Sequence, residues 1–386
     1  MIYLDYNATT PVHPQVREAI NEHLEREFGN PSSSHAKGRW AKAVIDDARA
    51  HVAASVGAHS PSEIVFTASA TEADNLAILG ACTAASAQRR HLIVSAVEHP
   101  AVMEPALQLQ RQGWRLSIAP VDRDGRLILD ALAGLLAAGD TALVSVMHAN
   151  NELGTIQPVV EVGQLAKQHG ALFHVDAAQS MGKIPVDAKV MAADLLTIAG
   201  HKMYAPKGIG ALYIRQGTPM HPLMYGASQE GGLRPGTENV PYIAGLAAAA
   251  RLMANALPAR QRMPRLRDQL QDRLVAAIPG LTVNGSQWHR LPNTLHVSLP
   301  VGSARAVIAL LADDIALSAG AACHSDGARD PSGVMRAIGA TMQQANGAIR
   351  LSLGYDTTLQ ELDLAVPLIV AAYAKHAEDV VRRGHA

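Results

Sequence analysis

The chain has 386 residues with 33 Lys plus Arg against 34 Asp plus Glu, so its charge gives no general pull toward nucleic acid or an anionic membrane. Hydrophobic residues make up 48% and charged residues 17%, the balance of a folded globular protein and not of a disordered one. Only two cysteines occur, Cys82 and Cys323, which excludes a disulfide framework and a CxxC zinc site.

The N-terminus carries an early acid, Asp5, and no basic-then-apolar leader. The most apolar long stretch, 243–250, is short, Ala-rich and followed by Arg251, too little for a membrane span. A soluble, cytoplasmic enzyme or binding protein is expected. From residue 64 to 214, short β-branched runs alternate with helical patterns. Strands are predicted at 64–67, 92–97, 116–121, 142–147, 171–176, 195–198 and 211–214. Several are continuously apolar, as in a sheet covered on both faces. Helices are predicted at 71–85, 101–112, 129–138 and 158–169, the last with Pro158 at its start and Gly170 past its end. This repetition predicts an open α/β sheet of seven mostly parallel strands with right-handed crossovers.

After Pro241 the texture changes. A helical region interrupted by Pro258 and Pro264 runs to about 278, followed by short strands at 281–284, 294–299, 316–318 and 348–353 and helices at 303–311 and 359–374. This predicts a smaller α+β domain. The expected division is an N-terminal segment, 1–15, packing with the small domain, a large α/β domain, 16–255, and the small domain, 256–386.

In open α/β sheets ligands bind beyond the carboxyl ends of the strands, and polar residues collect there in this chain. Ser69-Ala70-Thr71 opens a helix and offers an anion site, although a plain N-cap explains it as well. Glu98-His99 and Asn150-Asn151-Glu152 follow two further strands, and each alone reads as surface or turn. Asp176 ends the fifth strand with Gln179 three residues on, and an apolar strand delivers His201-Lys202. Apolar surroundings of this kind desolvate an amine and lower its pKa. Together these residues are what pyridoxal phosphate asks for: a lysine for its Schiff base, a carboxylate for its ring nitrogen, a flat group over the ring and donors for the phosphate. Farther along, Cys323 stands in a Gly/Ala-rich stretch beside His324, a setting for a reactive thiolate, whereas Cys82 reads as a small buried hydrophobe. Arg350 projects from an apolar strand and could pair with a substrate carboxylate or with a structural acid, on equal terms.

With these residues in place, the chain resembles the cysteine desulfurases of the class V aminotransferase fold (pyridoxal-phosphate fold type I), and the related selenocysteine lyases. The resemblance runs nearly end to end, through the Tyr3–Pro11 and Phe28–Ser33 runs, 66–75, Glu98-His99, 150–154, 174–179, 200–202, 234–239, 322–325 and 349–354. It implies that Lys202 carries the cofactor and shuttles the Cα proton, His99 stacks on the ring and assists proton transfer, and Asp176 pairs with its nitrogen. Gln179 and Asn151 would serve the phenolic oxygen and the substrate side. Ala70, Thr71 and His201 would hold the phosphate, joined by Thr237 of the partner in a homodimer. Arg350 would bind the substrate carboxylate, and Cys323 would take the substrate's sulfur as a persulfide, releasing alanine and passing sulfur to an acceptor protein. The family usually has Ser where this chain has Ala199 and Arg-Ser-Gly-Thr where it has Arg234-Pro235-Gly236-Thr237. Both changes resemble selenocysteine lyases, so cysteine and selenocysteine stay open as substrates. An aminotransferase or other lyase of the same fold with an incidental Cys323, a cofactor-free thiol hydrolase built on Cys323 and His324, and a non-catalytic scaffold, which gives no reason for Asp176, Lys202 and Arg350 to occur together, are the other readings.

Overall fold

The computed structural model describes residues 1–25, 28–254, 257–319 and 332–384. Its strands are β1 (Ile2–Tyr3), β2 (Ile64–Thr67), β3 (His91–Ser95), β4 (Arg115–Ala119), β5 (Thr141–Met147), β6 (Leu172–Asp176), β7 (Leu195–Ala199), β8 (Gly210–Ile214), β9 (Thr282–Val283), β10 (Thr294–Ser298), β11 (Ile315–Ala316) and β12 (Ala348–Ser352). A seven-stranded sheet runs in the order β2-β8-β7-β6-β5-β3-β4. Only β8 is reversed, antiparallel to both β2 and β7. The seven predicted strands are these seven, with ends moved by one or two residues.

Alternate strand residues enter two separate cores. Phe66, Ile93, Val144, Phe173, Val175 and Leu196 pack on one face, while Val65, Leu92, Val94, Leu143, Leu195 and Leu212 pack on the other. Burial on both faces explains why these strands read as continuous apolar runs. On the first face lie helices Pro14–Glu25, Ala36–Ser55 and Val240–Ala254, which pack on one another. The smaller antiparallel sheet, in the order β12-β10-β9, shares a third core with the helices Leu257–Ala277 and Leu359–Gly384. β1 lies parallel to β11 at its side, so the first residues of the chain join the last third.

Four departures from the sequence-based expectations have physical reasons. Pro264 does not break its helix, because Met263, Leu266, Leu270 and Leu274 are buried along it and outweigh the roughly 3 kcal/mol that an interior proline costs. The helix predicted over 71–85 contains a π-helical stretch, Leu76–Gly80. There the carbonyl of Gly80 accepts from the backbone N–H of His221, and a Cβ at Gly80 would come within 2.7 Å of the His221 oxygen. The last helix extends ten residues beyond the predicted 374, through a polar stretch with no apolar stripe, where His376 accepts from the backbone of Ser303 at 2.9 Å. Helix Ala36–Ser55 went unpredicted; its cap is the ring of His35, which accepts from Gly38 N–H, instead of the usual small polar side chain.

Candidate active site

A cavity of about 260 Å³ lies beyond the carboxyl ends of β2, β5, β6 and β7. Ala70, Thr71, His99, Asn151, Asp176, Gln179, His201, Lys202 and Arg350 all line it.

At one end, Ser69 caps the helix Ala70–Asn75 by accepting from Glu72 N–H at 3.1 Å, which leaves the first-turn residues Ala70 and Thr71 facing the cavity. Across from them, His201 bonds through Nδ1 to Thr9 Oγ1 at 3.2 Å. Burial, with the nearby charges of Lys202, Lys207 and Lys183, pushes its pKa down to about 4, so the ring is neutral. Ala199 ends β7 in the same wall.

His99 caps the helix Pro100–Arg111, and its Nδ1 accepts from Ala101 N–H at 3.1 Å. The neutral ring therefore carries its proton on Nε2. Burial, helped by Lys202, holds its pKa below the ordinary value against the pull of Asp176. Asp176 ends β6 and accepts from Ala178 N–H at 2.8 Å. Burial raises its pKa despite that bond and despite the opposite charges of His99 and Lys202.

Two more buried acids feel the charge of Asp176: Asp74, which also lines the cavity, and Glu98. His174 is held between Ser145 Oγ at 2.8 Å and Thr197 Oγ1 at 3.1 Å, and burial pushes it down to about 3. Asp74 Oδ1 lies 3.6 Å from its Nε2, and burial and then Asp176 raise the Asp74 pKa well above the usual carboxylate range. Glu98 is pushed up to about 8, by burial first; its Oε1 accepts from Ser95 Oγ and from Met147 N–H at 2.9 Å, and its buried Oε2 has no hydrogen-bond partner among the described residues.

Lys202 closes the turn Gly200–Lys202 after β7, and its Nζ donates to the carbonyls of Asn7 and Ala8. Gln179 Nε2 donates to the same Asn7 carbonyl at 3.0 Å. Arg350 comes from the smaller sheet, where it sits opposite His296 on β10. It is only 2% exposed, donates to the carbonyl of Asn151 at 2.9 Å and to Asp5 Oδ1 at 2.7 Å, and its buried Nε has no partner among the described residues.

These residues fit pyridoxal phosphate on the structure's own terms. A buried carboxylate whose desolvation outweighs its neighbours suits a cationic ring nitrogen, the neutral His201 and the helix start suit a phosphate, and the Arg350 Nε, unpartnered among the described residues, suits a carboxylate.

Thr237 is exposed and does not line the cavity. Cys323, and with it the whole of 320–331, lies outside the described residues. Cys82 is buried, and its thiol is pushed up to about 12. Sequence reasoning gave no role to Asp5, Asn7, Asp74 or Lys183. Asn7 is the hub among them: its Nδ2 donates to Thr294 Oγ1 at 2.8 Å, its Oδ1 accepts from Lys183 at 3.0 Å and from Asn293 at 3.1 Å, and its carbonyl receives Lys202 and Gln179. The only hint was the polar Asn7 within the matched Tyr3–Pro11 run.

A doubly wound sheet with a lysine, an aspartate and an arginine converging on one cavity defines a pyridoxal-phosphate enzyme. The chain belongs to the class V aminotransferase family, whose model, "Aminotransferase class-V", matches residues 2–364, and within it to the cysteine desulfurases. It is 46% identical to the "Cysteine desulfurase" of Trichormus azollae over 371 residues, 96% of this chain and 92% of that relative. It is 41% identical to "Cysteine desulfurase IscS" of Dictyoglomus turgidum over 370 residues, 95% and 93% of the two chains. Among solved structures, a NifS-like protein superposes with a TM-score of 0.90 at 37% identity, covering 97% of this chain and 99% of the other. A structure described as "SspA in complex with cysteine" superposes with a TM-score of 0.80 at 33% identity, covering 92% and 99%. The cofactor of this family is pyridoxal phosphate.

Proposed function

We propose that this protein is a pyridoxal-phosphate-dependent cysteine desulfurase that converts L-cysteine to L-alanine and takes the sulfur onto Cys323. The observation that carries the reading is the convergence on one cavity of Asp176 at the end of β6, Lys202 in the turn after β7 and Arg350 on β12.

When bound, the cofactor supplies an electron sink for negative charge at the substrate Cα. Asp176 keeps the ring nitrogen protonated, and Thr71 and His201 donate to the phosphate. Arg350, its guanidinium already fixed by Asp5 and Asn151, binds the substrate carboxylate through its Nε side, which has no partner among the described residues. Lys202 moves the Cα proton at Nζ, and His99, protonated on Nε2, exchanges a proton at that atom. Gln179 and Asn151 orient the ring oxygen and the substrate. The thiolate of Cys323 attacks the sulfur of cysteine as its bond to Cβ breaks. The electron pair left on Cβ takes a proton, so alanine leaves and Cys323 holds the second sulfur. Cys82 is unsuited to this step, since burial keeps its thiol protonated.

We further propose a cytoplasmic homodimer in which Thr237 reaches the partner's phosphate, with an acceptor protein taking the sulfur. The exposure of Thr237 supports this reading. The separate cores of the two sheets support a division at 1–15, 16–255 and 256–386. Among the described residues no helix is long and apolar enough to cross a membrane.

The test is Cys323→Ala assayed with cysteine and with selenocysteine, quantifying alanine and released sulfur or selenium. Loss of cysteine turnover supports the persulfide route; full turnover overturns it. Selenium release that survives the substitution would redirect the assignment to selenocysteine.

A further inference from the structure

Lys183 is a buried lysine near the cavity to which the proposed reaction gives no task. It lies four residues after Gln179 in the turns that follow β6, and it is buried. Its Nζ donates to Gln179 Oε1 at 2.8 Å and to Asn7 Oδ1 at 3.0 Å. Among the described residues no carboxylate pairs with it, so two amide oxygens are all that compensates the amine. Burial and the charges of Lys202 and Arg350 lower its pKa well below the usual lysine value. Charged or neutral, an amine still has the two N–H donors that these bonds use.

The consequence falls on Gln179, which lines the cavity. An amide can present either its oxygen or its nitrogen, and its neighbours decide which. With Oε1 occupied by Lys183 and one Nε2 hydrogen given to the Asn7 carbonyl at 3.0 Å, the group left for a ligand is the second N–H. We propose that Lys183 is a positioning residue that locks the Gln179 amide as a donor toward the phenolic oxygen of pyridoxal phosphate. Without that lock the amide can turn and place its own oxygen against an oxygen that carries negative charge. The same amine holds Asn7, whose carbonyl also receives Lys202, so the lock and the cofactor-bearing lysine share one support.

This inference rests on the cofactor reading above, and the experiment separates the two. A donor on the ring's phenolic oxygen draws charge from the Lys202 nitrogen conjugated to the ring and holds down its proton affinity. Cofactor-loaded enzyme is therefore titrated by its visible absorbance in the wild type, Lys183→Met, Gln179→Leu and the double variant. Each single substitution should raise the pH midpoint by about one unit, and the double variant should match the singles, because both remove one interaction. An unchanged midpoint in Lys183→Met, or an undiminished extra shift when it is added to Gln179→Leu, overturns the proposal. Should Lys183→Met fail to fold, Gln179→Leu alone decides: a raised midpoint supports the lock, and an unmoved one overturns it. A wild-type chain that takes up no pyridoxal phosphate would overturn the cofactor reading and the lock together.

Discussion

Arg350 and Asp5, 345 residues apart in sequence, meet at 2.7 Å, and this pair aims the guanidinium at the cavity. Removing one partner of a buried pair leaves an uncompensated charge, a change that costs about 3–5 kcal/mol when both groups are deeply buried and less here, where Asp5 is partly exposed. Asp5→Ala should therefore raise the KM for cysteine about tenfold with a smaller effect on kcat. Asp5→Asn, which keeps an acceptor oxygen, should lie between it and the wild type. Steady-state kinetics check this; an unchanged KM in Asp5→Ala would show that Asn151 alone orients the arginine.

The acid limb of the pH–rate profile should reflect His99. Its pKa lies below the ordinary imidazole value because the ring is buried and faces Lys202. A group depressed in this way stays neutral as pH falls past the ordinary value, so activity should persist below it. His99→Gln should lower kcat by 10²-fold or more, the usual scale of general acid–base catalysis, and abolish the limb. A limb that survives unchanged in that variant belongs to another group.

Acid should destabilise the fold through histidines. His91, His148 and His201 are pushed down to about 4, and His174 and His296 to about 3, in every case by burial first. Unfolded, each would bind a proton near 6.5; folded, each refuses it until far lower pH. The unfolded state thus holds more protons throughout that window, and stability is lost as pH falls from about 6.5 toward 4. Calorimetry should show Tm dropping by about 5 °C or more across it, and a flat Tm would contradict the neutral assignment.

Glu98 titrates with the opposite sign. Its carboxyl, pushed up to about 8 from 4.5, keeps its proton in the fold while the unfolded chain releases it. Wild-type stability therefore carries a contribution that declines between pH 4.5 and 8. Glu98→Gln preserves shape and a neutral side chain. Its Tm should equal the wild type's near pH 4.5, exceed it increasingly up to pH 8, and hold that margin above. A margin that does not change with pH would mean that Glu98 is ionised in the fold.

At Ala199 the cavity wall carries a methyl group where a hydroxyl would fit the family pattern. Ala199→Ser should slow cofactor loss by roughly fivefold, the scale of one hydrogen bond of about 1 kcal/mol. Dialysis followed by absorbance reads this directly, and an unchanged rate would place the phosphate away from β7.

The large sheet could be read from the chain because most of its strands, the edge strand β4 excepted, are local apolar runs buried on both faces, and local patterns need no partner. The residues at the ends of β6 and β7, Asp176, Lys202 and their neighbours, were visible for the same reason. What stayed hidden depends on distant segments. Asn7 bonds Lys183 across 176 residues and Asn293 across 286, and no periodicity announces such contacts. Lys183 reads as an ordinary surface lysine until the fold buries it. The π-helical stretch and the long last helix were missed because a contact with His221 and a contact with Ser303, neither local, shape them.

The parallel pairing of β1 with β11 also sets a timetable for the newborn protein. The strand Ile2–Tyr3 is synthesised long before its partner, and it has nowhere to dock until Ile315 follows. At translation rates of about 5–20 residues per second, the opening residues wait for tens of seconds. Asp5 and Asn7 wait with them, so a growing chain can raise its large sheet early but can finish its catalytic pocket only once Arg350 has been added.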